Sequence, residues 1–576
     1  MAVAVVGTNT NFQAAYVYAA VVWGALLIRA IVHQLSRVQT FLRRQRYFHQ
    51  GSTRHGKRKR SAFASVFARS LNALEYSPNI PMHTFTIRSA TLMVIIVALN
   101  IVAMLFAPFS YAWSPYTLPT FATVTKRCAF LATTNFSLII AFATRNSIFV
   151  KLIGVPFERM LPYHRNLAKI AAVEGILHAA YEIAHEYADS FSVRDALFGD
   201  VEYGSGAVTV LCMVVIYCTS FELVRRKYFE LFYVCHIVGF LAMVVAGSLH
   251  ELWVIAFFAP SLALWVGDRM MRFYKSHFGR TRVVSVSKAT DNVLKIDFSM
   301  PGLANAYKPG QYVFVNVKDE TSLHWTRWHP FTISMIESRP GSLLDKHKQK
   351  MDTGSESMYP HMPEDTYMVA SIYIKSIGDT TTTFHRLLAT AVLQDVKIKI
   401  DGPLGMPTVD FQDYSTVILM ACGIGITPGI SILQNLVERK LSGNRAVLTD
   451  TIHLVWVIRK QTDCELFWNT LEKTADQLTQ ARHVHPLTLH LDCYVTQSSD
   501  YTNLLEKTVR HANFTLHHGR PDIPQLIHKL KETYVDEDIG LHTCGPRTFM
   551  RQVRNHAVMM KGSKGVWEVS DETFEF

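Results

Sequence analysis

Four histidines stand in two pairs of equal spacing: His164 with His178, and His236 with His250, each pair 14 residues apart. Both pairs lie in apolar runs that read as helices. At ~100° per residue, 14 steps bring a side chain back to within ~40° of the same face, ~21 Å farther along the axis. Each helix therefore presents two imidazoles on one stripe. One helix intervenes, so the two run in the same direction; His164 can face His236, and His178 can face His250. Imidazole is a haem ligand, and a ligand on each side leaves no open position at iron. Two stacked b-type haems fit between the helices, favouring outer-sphere electron transfer over oxygen binding. Ionisable groups inside a membrane cost free energy and tend to be functional. The plainer alternative is a set of polar residues near helix ends. His185, one heptad beyond His178, is a competing ligand, but the second helix offers it no partner.

The second half carries residues suited to nucleotides. In Trp328-His329-Pro330-Phe331-Thr332-Ile333-Ser334, an aromatic, a proline and two hydroxyls at a strand end suit a flat isoalloxazine ring. A plain strand after a proline turn is the alternative. In 374–381, Lys375, Gly378, Thr380 and Thr381 precede a helix, where backbone N–H groups suit a pyrophosphate. A capped helix explains the same pattern. The run TVILMA at 416–421 reads as a buried parallel strand. Gly423, Gly425, Thr427 and Pro428 follow it and open a helix, which makes a dinucleotide cradle. Arg459 ends the strand HLVWVIR where a 2′-phosphate could be read, or is a solvated strand-end charge. Cys544-Gly545-Pro546 ends a late strand, so the chain turns beside a nicotinamide that the Cys544 thiol could touch. The terminal Phe576 could cover a flavin face and move aside for nicotinamide, or be a packed or frayed tail.

These residues need two kinds of support. The chain has 576 residues and is 49% hydrophobic, and its mean hydropathy is +0.12. Apolar residues form long runs before about Phe273 and alternate with charge after it. Seven runs approach membrane-spanning length, at about 12–33, 88–109, 128–144, 164–187, 205–223, 229–249 and 251–268, with six as the next count. The third is short and carries Asn135. Cations cluster after the first run (Arg37, Arg43, Arg44, Arg46 and the stretch 54–60), the third, the fifth and the seventh. The loop 188–204 is acidic by contrast. The positive-inside rule places the C-terminal half in the cytosol and the N-terminus opposite. The net charge of +12 is thus read as membrane topology and contact with anionic lipid, not nucleic-acid binding. Eight cysteines without C-x-x-C spacing suggest neither a disulfide scaffold nor a zinc site. No basic n-region or cleavage site precedes the first run, so it stays as a membrane helix. From Arg282 the short alternating strands predict an antiparallel barrel. The turn Asp401-Gly402-Pro403-Leu404-Gly405 closes it, and 338–366 reads as a polar insertion.

In this order, the histidine pairs, HPFTIS, the phosphate loop, DGPLG, CGIGITPG and HTCGP resemble the ferric reductase and NADPH oxidase superfamily, over roughly residues 128–576. Length and the missing signal peptide look most like its short yeast metalloreductase subgroup. The resemblance implies a haem-binding helical bundle over 1–270, a ferredoxin-reductase-like FAD barrel over 271–410 and an α/β NADP-binding domain over 411–576. It implies the four histidines as haem ligands, FAD on the barrel and NADPH on the last domain. Three positions depart from the pattern: Cys422 replaces a glycine, Gly378 stands alone where two glycines are common, and Leu404 replaces an aromatic. The expected route runs from NADPH through FAD, the inner haem and the outer haem to an acceptor across the plasma membrane or endoplasmic reticulum. Ferric chelate is the first choice of acceptor and dioxygen the second. Where oxygen-reducing relatives often carry a histidine one turn beyond the outer ligand, this chain has Glu182. A non-catalytic membrane adaptor is the alternative of another class.

Overall fold

The computed structural model of the chain describes residues 10–50, 70–71, 73–78, 86–106, 121–145, 147–278, 281–303, 307–317, 328–340, 366–390, 398–405, 408–481, 483–497, 513–535, 537–559 and 567–572. Phe576, the basic stretch 54–60 and most of the polar insertion lie outside the described residues. One unit comprises Met1–Arg37 and Ala90–Phe273; the other comprises Val38–Ser89 and Tyr274–Phe576.

Among the described residues, seven long helices overlap the seven apolar runs: α1 (Thr10–Gln50), α2 (Ile87–Phe106), α3 (Phe121–Phe142), α4 (Phe157–Ser190), α5 (Val201–Thr219), α6 (Phe229–His250) and α7 (Trp253–Phe278). Among the described residues, five are long and apolar enough to cross a membrane: parts of α1, α2 and α7, and all of α5 and α6. The other two are more polar. α3 carries Lys126 and Arg127; α4 carries Arg159, Arg165, Lys169, Glu174 and Glu182. Arg127 donates to the carbonyls of Met104 and Leu105 at 3.0 and 3.1 Å, satisfying the open end of α2. Leu27, Val94, Val245 and Leu249 are exposed on the helices, as lipid-facing side chains are. Inside, Leu138, Ile139, Leu167 and Ala171 join α3 to α4. Ala172, Met213 and Met243 join α4, α5 and α6.

In the second unit, six antiparallel strands form a sheet in the order β1-β2-β5-β4-β3-β6. They are β1 (Arg282–Thr290), β2 (Val293–Ser299), β3 (Tyr312–Val317), β4 (His329–Pro340), β5 (Thr366–Lys375) and β6 (Ile398–Leu404). Val313, Val315, Ile333, Ile372 and Ile374 fill its core. Residues 401–404, expected as a turn, instead continue β6 and pair with β3; backbone pairing overrides the turn propensity of Gly-Pro. Helix α8 (Asp379–Thr390) follows β5.

The remainder is a parallel sheet, β7 (Thr416–Cys422), β8 (Thr451–Ile458), β9 (Thr488–Val495), β10 (Phe514–His518), β11 (Ile539–Cys544) and β12 (Trp567–Glu572). Among the described residues, four helices connect its strands: α9 (Ile426–Leu441), α10 (Glu465–Ala481), α11 (Ile523–Thr533) and α12 (Arg547–Val558). The strand order β10-β9-β8-β7-β11-β12 reverses direction between β7 and β11. In open parallel sheets, ligands bind outside the carboxyl ends of the strands at such a switch point. The C-terminal end of α1 belongs to this unit: Arg43 pairs with Asp413 and Arg44 with Asp410. Asn555 on α12 exchanges two hydrogen bonds with the backbone of Ser77, at 2.9 and 2.8 Å.

Candidate functional site

α4 and α6 place the four histidines in two facing pairs. The rings of His164 and His236 have centres 6.2 Å apart. Those of His178 and His250 are also 6.2 Å apart. An imidazole bound at about 2 Å through one ring nitrogen has its centre about 3 Å from the metal, so two opposed ligands have centres about 6 Å apart. Both pairs fit that spacing. Outer hydrogen bonds orient the rings. His164 Nδ1–H donates to Ile139 O at 2.9 Å, and His250 Nδ1–H donates to Glu202 O at 2.8 Å. His236 Nδ1 lies 3.4 Å from Ser220 Oγ. Such bonds leave Nε2 free as the ligand atom. His178 Nδ1 is 3.9 Å from Glu182 Oε1. Gly206 makes room for His250, because a β-carbon there would stand 2.9 Å from Nδ1. The sequence signalled the histidines by spacing but not Ser220 or Gly206, which act from α5 and the residues that follow it. His185 pairs with Asp189 at 3.7 Å and faces no second histidine among the described residues.

On the barrel, β4 divides the HPFTIS residues between two surfaces. Phe331 and Ile333 pack into the barrel core. Thr332 lies opposite Tyr312, and Pro330 opposite Phe314. Tyr312 and Phe314 form an apolar patch with Leu404 and Trp328. Leu404, a departure from the family pattern, thus packs within this patch. Thr332 Oγ1 is buried with no hydrogen-bond partner among the described residues, so its donor is available to a ligand polar group. Ser334 donates to Ser371 O at 2.9 Å, and His329 rests edge-on against Phe384. At the start of α8, Thr381 Oγ1 accepts from the N–H groups of Ile377 and Gly378, both at 3.0 Å. The expected phosphate donors are therefore capped by a side chain. Thr380 is the second residue of the same helix.

Lys375 Nζ lies 3.3 Å from Asp463 Oδ1. This pair helps line a small cavity with Gly423, Ile424 and Trp456. Asp463 gave no signal in the sequence. Trp456 Nε1–H donates to Gly423 O at 2.9 Å and pins the glycine turn. Gly423 adopts φ 54°, which favours glycine. Cys544 lies beside Ala421 in the β7–β11 register, so Cys544-Gly545-Pro546 meets the glycine turn at the switch point. Thr427 and Pro428 are buried at the start of α9. Pro546 caps α12. Arg459 is exposed at the end of β8, the next strand over. Burial pushes the Cys422 thiol up to about 12. It also raises that of Cys544, with Glu572 and Cys422 adding to the effect. Both stay protonated at neutral pH, so Cys544 offers a packing surface and no thiolate.

Residues 128–247 match the ferric reductase like transmembrane component, 278–408 an FAD-binding domain, and 414–558 the ferric reductase NAD binding domain. A superoxide-generating NADPH oxidase heavy chain of Dictyostelium discoideum is 24% identical over 79% of this chain and 90% of its own. "Respiratory burst oxidase homolog protein B" of Solanum tuberosum is 23% identical, over 70% of this chain and 52% of its own length. "Ferric reduction oxidase 7, chloroplastic" of Arabidopsis thaliana is 27% identical over 62% of this chain and 45% of its own. The chain thus spans nearly all of the first relative and about half of the two plant ones. Fold and domains together define an integral membrane oxidoreductase that takes electrons from NADPH through FAD. The chain belongs to the ferric reductase and NADPH oxidase superfamily.

Proposed function

We propose that the chain carries electrons from cytosolic NADPH across a membrane to a ferric chelate. The observation that carries the transmembrane path is the pair of facing imidazole sets at equal spacing. His164 with His236 and His178 with His250 would hold two haems. Pro330 and Thr332, with Tyr312 and Phe314, would hold the flavin on the barrel. Gly423, Gly425 and the Cys544–Pro546 turn would hold the nicotinamide end of NADPH, and Arg459 the 2′-phosphate. An FAD held there would supply the conversion of a two-electron hydride from NADPH into single electrons.

The chain's own residues set the rest. Two imidazoles on each iron would leave no open coordination position for an acceptor, so the pairs favour outer-sphere electron transfer. Gly425 lets the glycine turn approach the Cys544 backbone closely, and the neutral Cys544 thiol would offer a packing surface to the dinucleotide. The cation-rich segments after α1, α3, α5 and α7 support a cytosolic position for the nucleotide-binding domains.

The acceptor is argued from the far pair. Glu182 stands 3.9 Å from His178, and Glu186, Asp189, Asp200 and Glu202 follow nearby along the chain. Such a rim attracts iron cations and repels an anionic product. The second reading, dioxygen reduced to superoxide, is favoured by the names of two of the relatives above. Purified protein given NADPH separates the two. Iron reduction insensitive to superoxide dismutase supports the first; a dismutase-sensitive signal in iron-free medium supports the second.

A further inference from the structure

Between the two histidine levels, α4 carries a carboxyl group that the electron path does not use. Glu174 lies four residues before His178 and ten after His164, and is 7% exposed. Its Oε2 accepts from Asn135 Nδ2 at 2.9 Å. Among the described residues no other hydrogen bond or ion pair reaches it.

Asn135 is fixed by a closed ring. Its other hydrogen goes to Asn100 Oδ1 at 2.9 Å. Asn100 donates to Tyr18 Oη at 2.7 Å and to Ile96 O at 2.8 Å. Tyr18 donates to Asn135 Oδ1 at 2.7 Å. Side chains from α1, α2 and α3 therefore use every amide hydrogen they own, and one of these is aimed at the carboxyl. The titratable groups that face Glu174 are Tyr18 on α1 and Cys128 on α3; α2 offers Asn100, and Gly175 beside it meets Met213 of α5. Among the described residues of these helices, no cation offsets a charge on Glu174.

A carboxyl with one neutral donor and no counter-ion is a poor structural pin in a membrane, where apolar packing serves better. It is suited to gaining and losing a proton as nearby charge changes. An elementary charge about 10 Å away, at an effective dielectric of about 20, alters proton affinity by roughly tenfold. We propose that Glu174 takes one proton from water as one electron reaches the adjacent histidine-held site, and returns it as the electron leaves. One electron and one proton enter together, and a carboxylate becomes a carboxylic acid.

This inference rests on the haem reading above. Its test is a spectroelectrochemical titration of purified, haem-loaded full chain across pH, with Glu174→Gln in parallel. Redox-difference infrared spectra of the unaltered protein accompany it. The midpoint potential of one haem component is expected to fall as pH rises, by up to about 59 mV per tenfold change in proton activity. In Glu174→Gln the dependence flattens. A protonated-carboxyl band should appear on reduction. A pH-independent midpoint in the unaltered protein, no carboxyl band, or a slope retained in Glu174→Gln overturns the inference. If that variant does not fold, the first two measurements decide. Normal cytochrome absorbance with flat midpoints sinks this inference alone; no low-spin absorbance sinks the haem reading and this inference with it.

Discussion

A β-carbon added to Gly425 would lie 2.7 Å from the carbonyl oxygen of Cys544. The glycine turn after β7 and the end of β11, more than 100 residues apart in sequence, thus meet backbone to backbone at the proposed dinucleotide site. The contacted atom belongs to β11, held on both sides by β7 and β12, so it cannot give way as a flexible side chain would. Gly425→Ala is expected to cost about 1–3 kcal/mol locally. NADPH affinity, measured by stopped-flow flavin reduction, should fall about tenfold or more, with flavin content unchanged.

Thr332 gives a sharper test of the flavin surface. Its hydroxyl is buried and unpartnered among the described residues, so it costs stability until a ligand uses it. Thr332→Val should leave the flavin-free protein as stable or up to about 1 kcal/mol more stable, while FAD binding weakens about two- to tenfold. Thermal unfolding with and without added FAD reads both effects. A loss of flavin-free stability would argue for a packing role.

Much of this was legible because it is periodic. The apolar runs became α1–α7, and the two 14-residue histidine spacings became two facing pairs. The alternation after Arg282 became a barrel, and strand, glycine turn and helix became β7 and α9. What stayed hidden depends on partners far along the chain. Asn135 was visible as a polar residue in an apolar run, but its ring with Tyr18 and Asn100 joins three separate segments. The 41-residue length of α1 was read only to about residue 33, since its basic end finds Asp410 and Asp413 across more than 360 residues of sequence. Thr381 illustrates local competition: a motif hydroxyl caps the N–H groups expected to serve a phosphate.

Asp492 links three strands. Its two carboxylate oxygens accept from His453 Nε2 at 2.6 Å and His517 Nε2 at 2.7 Å. Burial alone would raise its proton affinity, but the two histidine hydrogen bonds outweigh burial and hold the carboxyl at about 2. The unfolded value is about 3.9, so this stabilisation is complete above about pH 4 and disappears as pH falls toward about 2. Asp492→Asn should cost about 2 kcal/mol at neutral pH. The gap in melting temperature from the unaltered protein should narrow on acidification below about pH 4.

The contacts at the end of α1 should be unequal. The Asp413 side chain is 10% exposed and pairs with both Arg43 and Arg44, whereas Asp410 is 54% exposed. Asp413→Asn is expected to cost about 1 kcal/mol and Asp410→Asn close to nothing, as for other exposed pairs. Thermal release of flavin fluorescence at low and high salt measures both, and the Asp413 effect should shrink less with salt.

The central claim is that two imidazole pairs hold iron porphyrin within the helical unit. The most direct measurement is the haem content and dithionite-reduced spectrum of full-length protein made with ample haem, beside His→Ala variants at 164, 178, 236 and 250. Low-spin cytochrome absorbance is expected, falling by about half when either pair is broken and vanishing when all four are replaced. Full absorbance in the four-fold variant, or none in the unaltered protein, would contradict the account.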